Sequence, residues 1–239
     1  MAQVAEASAL EDVQDGIRRL GVFRLRRAPV ELWSIPTAQG PLGAEAELPP
    51  EELAAAGRIG DLHGRAQYLA GRHLLRRVLA PRFGLPAARL PIAVDGEGRP
   101  GLALEGADYD FNLSHSGACV VLAVCEGARV GIDLERVRPR GGAAALADRY
   151  FSATERDRLA GLARLDGLRP DSDHHSRYLR EWYWIWTHRE AHTKAIGSGV
   201  RDIARDLPPG GSVRIAPRHG YVGTIVVLRG GTESEGRVA

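Results

Sequence analysis

Between Tyr109 and Glu135 three short strand-like runs follow one another, YDFNLS (109–114), ACVVLAVC (118–125) and VGIDLE (130–135), separated by glycine and charged turns. No other stretch constrains the fold as much. Runs of this kind need apolar neighbours on both faces, which places these strands centrally in a sheet. Cys119 and Cys125 both lie in the middle run. Six strand steps hold them roughly 20 Å apart, beyond the reach of about 7 Å that a disulfide allows. They read as small reduced core residues, and the compartment reads as cytoplasmic.

The cover comes from helical segments. PEELAAAG (50–57) opens one on a proline. A longer helix spans about 61–83, capped by Asp61, with Leu62, Ala66, Leu69, Leu75 and Leu79 as its apolar stripe and Gly84 and Pro86 as its stop. GGAAALADRYF (141–151) is a short helix, and Ser152 with Glu155 forms a capping box for a helix over 153–164. The last helix runs from about Arg177 to Ala195, with Tyr178, Trp182, Ile185 and Trp186 on one face, closed by Gly197 and Gly199. Residues 1–20 read as a loose acidic helix, 22–35 as a strand or hairpin, 91–94 as a strand, and 212–216 with 221–228 as a terminal hairpin. Residues 37–50 and 165–176 read as loops, and about 230–239 as a disordered tail. Helices cluster before strand runs in each half, which predicts an α+β class.

The chain has 239 residues, 44% hydrophobic and 26% charged, a globular balance with room for one large domain or two small ones. Basic and acidic residues number 32 and 30, too even a balance to point to nucleic acid. No apolar run approaches the roughly 20 residues of a membrane helix, and MAQVAEASALEDVQDG lacks a signal-type apolar core.

Four constellations carry chemistry. On a strand Asp133 and Glu135 share a face, and two adjacent carboxylates call for a cation or a proton between them. Hard oxygen ligands of this kind suit magnesium; two solvated acids on a polar sheet face are the plainer reading. Glu190 and Lys194 share a helix face at i, i+4, as a surface ion pair or as a third carboxylate with a phosphate-facing ammonium. Asn112-Leu113-Ser114-His115-Ser116-Gly117 reads as a donor-rich turn able to take an anion. Arg65, Arg72 and Arg76 fall on one helix stripe. Asp171, Asp173, His174 and His175 look like a metal tract but sit in a polar loop without ligand spacing.

In this order GRP (98–100), FNLSHSG (111–117), VGIDLERVRP (130–139), YFSATE (150–155) and WTHREAHTKAIGSGV (186–200) resemble the 4′-phosphopantetheinyl transferases, in their larger, Sfp-type class. The resemblance implies two similar α/β halves about a pseudo-twofold axis, residues 1–128 and 129–239, with the active site between them. It implies magnesium, or manganese in its place, on Asp133, Glu135 and Glu190. It implies coenzyme A as substrate, held by Arg99, Asn112, Ser114, His115, Asp133, Glu190 and Lys194, and an acyl or peptidyl carrier protein as partner of a monomeric enzyme. Glu190 and Lys194 take the catalytic roles. The family's early arginine has Gln67 near its register, so Arg65 or Arg72 stands in for the 3′-phosphate contact. Arg189 stands where lysine is usual, and His192 where an aromatic or apolar residue is common. If the strand through Glu135 continues, alternation turns Arg136, Arg138 and Arg140 away from the acids and toward the carrier protein. A metal-dependent nucleotide or pyrophosphate hydrolase would use the same carboxylates, and a non-catalytic binding module is the remaining alternative.

Overall fold

In the computed structural model the described residues are 4–5, 11–13, 16–37, 47–166, 177–197, 207 and 209–229. Their strands are β1 (Val4–Ala5), β2 (Glu11–Val13), β3 (Ile17–Leu25), β4 (Ala28–Pro36), β5 (Ile92–Val94), β6 (Pro100–Leu102), β7 (Tyr109–Ser116), β8 (Cys119–Glu126), β9 (Ala128–Arg136), β10 (Gly211–Ile215) and β11 (Tyr221–Arg229). The helices are α1 (Pro50–Gly57), α2 (Leu62–Leu79), α3 (Ala143–Tyr150), α4 (Ala153–Asp166) and α5 (Arg177–Ile196). The class is α+β, as the pattern of elements predicts.

Two sheets form the middle of the molecule. An antiparallel sheet runs β2-β3-β4-β8-β7, and a second runs β1-β10-β11-β9 with β1 parallel to β10. Strand β8 shows why both faces must be apolar. Cys119, Val121, Ala123 and Cys125 enter the core between the sheets, where they meet Val130, Ile132 and Leu134 of β9. Val120, Leu122 and Val124 point the other way, onto Leu74, Leu75 and Val78 of α2. On the far side α5 covers β9 and β11. The order of layers is therefore α2, sheet, sheet, α5.

Strand β9 is an edge strand by backbone pairing, not a central one. Its free edge is covered by side chains of β7 instead of by another backbone. Asp110 Oδ2, Asn112 Oδ1, Ser114 Oγ and Ser116 Oγ accept the backbone N–H groups of Val130, Ile132, Leu134 and Arg136, at 2.7, 3.0, 3.1 and 3.0 Å. Alternate side chains of β7 thus satisfy alternate amides of β9, the donors that an edge strand otherwise leaves open. The expected turn at 112–116 is the second half of β7.

Other expectations meet mixed outcomes. The hairpin at 22–35 is β3–β4, turning through Arg26 and Arg27 at φ 50° and 72°. Asp61 caps α2, its carboxylate accepting from Gly64 N at 2.7 Å. The Ser152–Glu155 capping box closes in both directions, at 2.8 and 3.3 Å. Leu62 leaves the expected stripe: it is 81% exposed, because α2 turns Ala70, Leu74 and Val78 to the sheet. Residues 1–20 contain no helix among those described; β1, β2 and the start of β3 lie there, since sheet edges recruit them as strands. The loop 167–176 with its His174–His175 pair, Gly199 and the tail 230–239 lie outside the described residues.

Asn112 tests the seam between β7 and β9. Asn112→Ala leaves the buried Ile132 N–H without its acceptor, a cost of about 1–3 kcal/mol. The expected drop in melting temperature is about 3–10 °C in thermal unfolding; an unchanged melting temperature would show that the seam does not support the fold.

Candidate active site

Every fourth residue along one stripe of α5 is Trp182, Trp186, Glu190 and Lys194. Strand β9 turns Val130, Ile132 and Leu134 into the inter-sheet core, so Gly131, Asp133 and Glu135 face α5. The helix lies directly on the strand at Gly131. A Cβ there would stand 1.9 Å from the Ala191 carbonyl oxygen and 2.7 Å from Ala195 N, so only glycine admits this approach.

That approach joins the acids to the lysine. Lys194 Nζ donates to Asp133 Oδ1 at 2.7 Å. Ser114 Oγ donates to the same oxygen at 3.0 Å and accepts from Lys194 Nζ at 3.2 Å, while it also takes the Leu134 N–H. Ser116 repeats the device one step along: its hydroxyl donates to Glu135 Oε2 at 2.9 Å and accepts the Arg136 N–H. The serines of β7 thus orient the carboxylates of β9. Sequence reasoning picked out Ser114 and passed over Ser116 and Gly131; the two-residue spacing shared by the serines and the acids was the available signal.

Buried charge of one sign accumulates here. Burial, then the Asp133 and Glu135 carboxylates, push Glu190 up to about 7 against the pull of Lys194 and Arg140. Glu135 is raised by burial and by Asp133, with Ser116, Arg140 and Lys194 opposing. His115 is surface-exposed on β7, and partial loss of hydration followed by the Lys194 charge lowers it.

The chemistry of this set suits a hard divalent cation. Asp133 Oδ2 is buried without a hydrogen-bond partner, and the carboxylates repel one another. Among the described residues no three His, Cys, Asp or Glu side chains already converge as a metal cage. Asp133 Oδ1 is turned to Lys194 and Glu135 Oε2 to Ser116.

The remaining expected site residues lie elsewhere or do other work. The guanidinium of Arg99 is bound to protein acceptors: both Asp110 oxygens at 3.0 and 2.8 Å, the carbonyls of Phe111 and Val130, and the Lys194 carbonyl. It ties β7, β9 and the end of α5 together. Arg72 is not brought to the site; it lies over the Tyr68 ring at 5.3 Å and 3.6 Å from Glu52. Arg76 forms a two-pronged pair with Glu52, and Arg65 stands exposed on the first turn of α2. Asn112 serves the seam. Gln67 donates to the Gly117 carbonyl at 2.9 Å.

Comparison with known proteins places the sequence in a family. A model of the 4′-phosphopantetheinyl transferase superfamily matches residues 129–235, and a 4′-phosphopantetheinyl transferase N-terminal model matches residues 32–127. The 4′-phosphopantetheinyl transferase HetI of Nostoc sp. is 33% identical over 179 residues, 73% of this chain and 71% of the relative. The chain belongs to the 4′-phosphopantetheinyl transferase superfamily. Two further transferases are shorter matches. The transferase AcpT of Salmonella typhi is 37% identical over 58% of this chain and 62% of its own length. The transferase psf-1 of Bacillus pumilus is 33% identical over 63% of this chain and 58% of its own.

In this transferase Arg189, at the position before Glu190, is 2% exposed and pairs with Glu155 of the capping box. A planar fork suits that buried pair better than a lysine would. His192 is buried, with its ring edge on His188 at 4.5 Å.

The raised Glu190 gives a pH dependence with a definite sign. Between the ordinary carboxylate value and about 7, the folded state holds a proton that the unfolded chain has released. Stability from this group is full at low pH and is lost as pH rises toward 7. In chelator-treated protein, the difference in melting temperature between wild type and Glu190→Gln should therefore move against wild type from pH 5 to pH 8. A difference independent of pH would mean that Glu190 carries no raised pKa.

Proposed function

We propose that the protein transfers the 4′-phosphopantetheine arm of coenzyme A to a serine of an acyl or peptidyl carrier protein and releases adenosine 3′,5′-bisphosphate, in the manner of the larger, Sfp-type class. One observation carries the reading: Asp133, Glu135, Glu190 and Lys194 meet across β9 and α5, beside Ser114 and His115 of β7. The names of the relatives support it.

Asp133, Glu135 and Glu190 would hold magnesium or manganese, which when bound neutralises charge on diphosphate oxygens. Lys194 supplies a fixed positive charge to the same oxygens. The exposed imidazole of His115 donates an N–H to a phosphate even when neutral. The nucleophile is the carrier's serine hydroxyl. Its oxygen bonds to the β-phosphorus of coenzyme A, and its proton passes to Glu190, directly or through a water. The bond from that phosphorus to the bridging oxygen breaks, and the oxygen leaves with adenosine 3′,5′-bisphosphate. Arg99 positions the end of α5.

In the same reading, residues 1–128 and 129–239 are two halves with the site at their β7–β9 seam. The protein acts as a cytoplasmic monomer, in line with Cys119 and Cys125, free thiols that burial pushes up to about 11. No helix among the described residues is long and apolar enough to cross a membrane.

The test is mass spectrometry of several apo carrier proteins incubated with coenzyme A and magnesium. Wild type should add one phosphopantetheine to at least one of them, and Asp133→Ala and Glu190→Gln should add none while melting as folded proteins. Breakdown of coenzyme A without any carrier would instead identify a hydrolase. Full transfer by either variant would remove that residue from the site.

A further inference from the structure

Strand β9 stops at Arg136, and the chain turns through Val137, Arg138 and Pro139 before α3. The expected alternation therefore ends, and Arg140 comes back to α5 instead of facing away from the acids. Its Cζ lies 5.4 Å from the centre of the Trp182 ring and 5.5 Å from that of Trp186. The two indoles are stacked, 9° from parallel with centroids 5.4 Å apart. Trp182 Nε1 donates to the Ala143 carbonyl at 2.9 Å, which fixes the platform. A guanidinium over aromatic faces is held by the ring quadrupoles; one side-chain hydrogen bond of Arg140 goes to Tyr183, and of the five N–H groups of a guanidinium the others stay able to donate in plane.

The platform sets this charge beside the site. Trp186 precedes Glu190 by one helical turn, and Lys194 follows it by one. The carboxylates thus have a cation at each end. Lys194 is tied to Asp133 at 2.7 Å. Arg99, Arg189 and Arg214 each hold a carboxylate, whereas among the described residues none stands within ion-pairing distance of Arg140. Its field still reaches Glu135 and Glu190, drawing both down. Stacked on the indoles, the guanidinium is kept from collapsing onto either acid.

We propose that Arg140 is a substrate contact of this site, its guanidinium edge binding phosphoryl oxygens of the coenzyme A diphosphate at the end of the acid row opposite Lys194. The inference rests on the transferase reading. Arg140 lies at Trp186, one helical turn before Glu190, and its charge acts on both Glu135 and Glu190; the planar fork matches two phosphoryl oxygens of a diphosphate held there. Arg140 is half-buried, whereas its neighbour Arg138 is exposed, as a residue meeting a protein partner would be.

Calorimetric titration tests this with two probes, coenzyme A and adenosine 3′,5′-bisphosphate, which lacks the second phosphorus of the diphosphate. Coenzyme A binding to wild type is measured first; its absence overturns the transferase reading and this inference with it. Given that binding, Arg140→Gln should weaken coenzyme A about tenfold or more, the loss expected of a charge-assisted contact, and weaken the bisphosphate less. Melting temperature and the KM for carrier at saturating coenzyme A should not change. Arg140→Lys, a single-point donor, should fall between. Wild-type coenzyme A affinity in Arg140→Gln overturns the proposal, and a raised carrier KM beside it would assign Arg140 to the protein partner. Should the glutamine variant unfold, Arg140→Lys decides alone: full coenzyme A affinity there overturns the two-oxygen contact.

Discussion

The structure depends on a seam in which side chains do the work of a backbone. Strand β9 is a sheet edge whose N–H groups at 130, 132, 134 and 136 are accepted by Asp110, Asn112, Ser114 and Ser116. An ordinary strand pair would use backbone carbonyls and leave the side chains free. Here the side chains are the acceptors, and two of them, the serines, have a hydroxyl proton left to donate. Those protons go to Asp133 and Glu135. The bonds that hold the two sheets in register are therefore the bonds that aim the carboxylates, and the register of β7 on β9 sets the geometry of the site.

A second constraint comes from Gly131. Because it has no side chain, α5 lies against β9 closely enough for Lys194 to reach Asp133 and for Glu190 to feel both acids of the strand. Burial then makes the electrostatics severe: several carboxylates share a region of low polarity, Glu190 holds its proton to about neutral pH, and cations stand at either end of the row. Such an arrangement costs folding free energy. Arg99 contributes from outside by bracing the Lys194 carbonyl against Asp110 and Val130.

Much of this was legible in the chain. Asp133 and Glu135 share a face by strand periodicity, Glu190 and Lys194 by helix periodicity, and the capping box at Ser152–Glu155 closes as written. These are local relations, determined by the repeat of a single element. The acidic segment before Ile17 failed on the same basis: its composition suits a solvated helix, but the sheet edges beside β3 and β10 offer it backbone partners that local propensity does not register. Glu155 is a mixed case, since its cap was visible and its pairing with Arg189 was not.

By itself the sequence determined the acids and the lysine of the site, the strand and helix that carry them, and the α+β class, because spacing and hydrophobic pattern act over a few residues. Only the tertiary structure decided which residue meets which. It sent Arg99 and Arg72 to carboxylates on neighbouring elements, ended β9 early enough to return Arg140 to the indoles, and gave Ser116 a role equal to that of Ser114. A long polar side chain has several partners within reach of its stem. Its choice follows from which buried acceptor would otherwise go unsatisfied, and that is settled when distant elements pack.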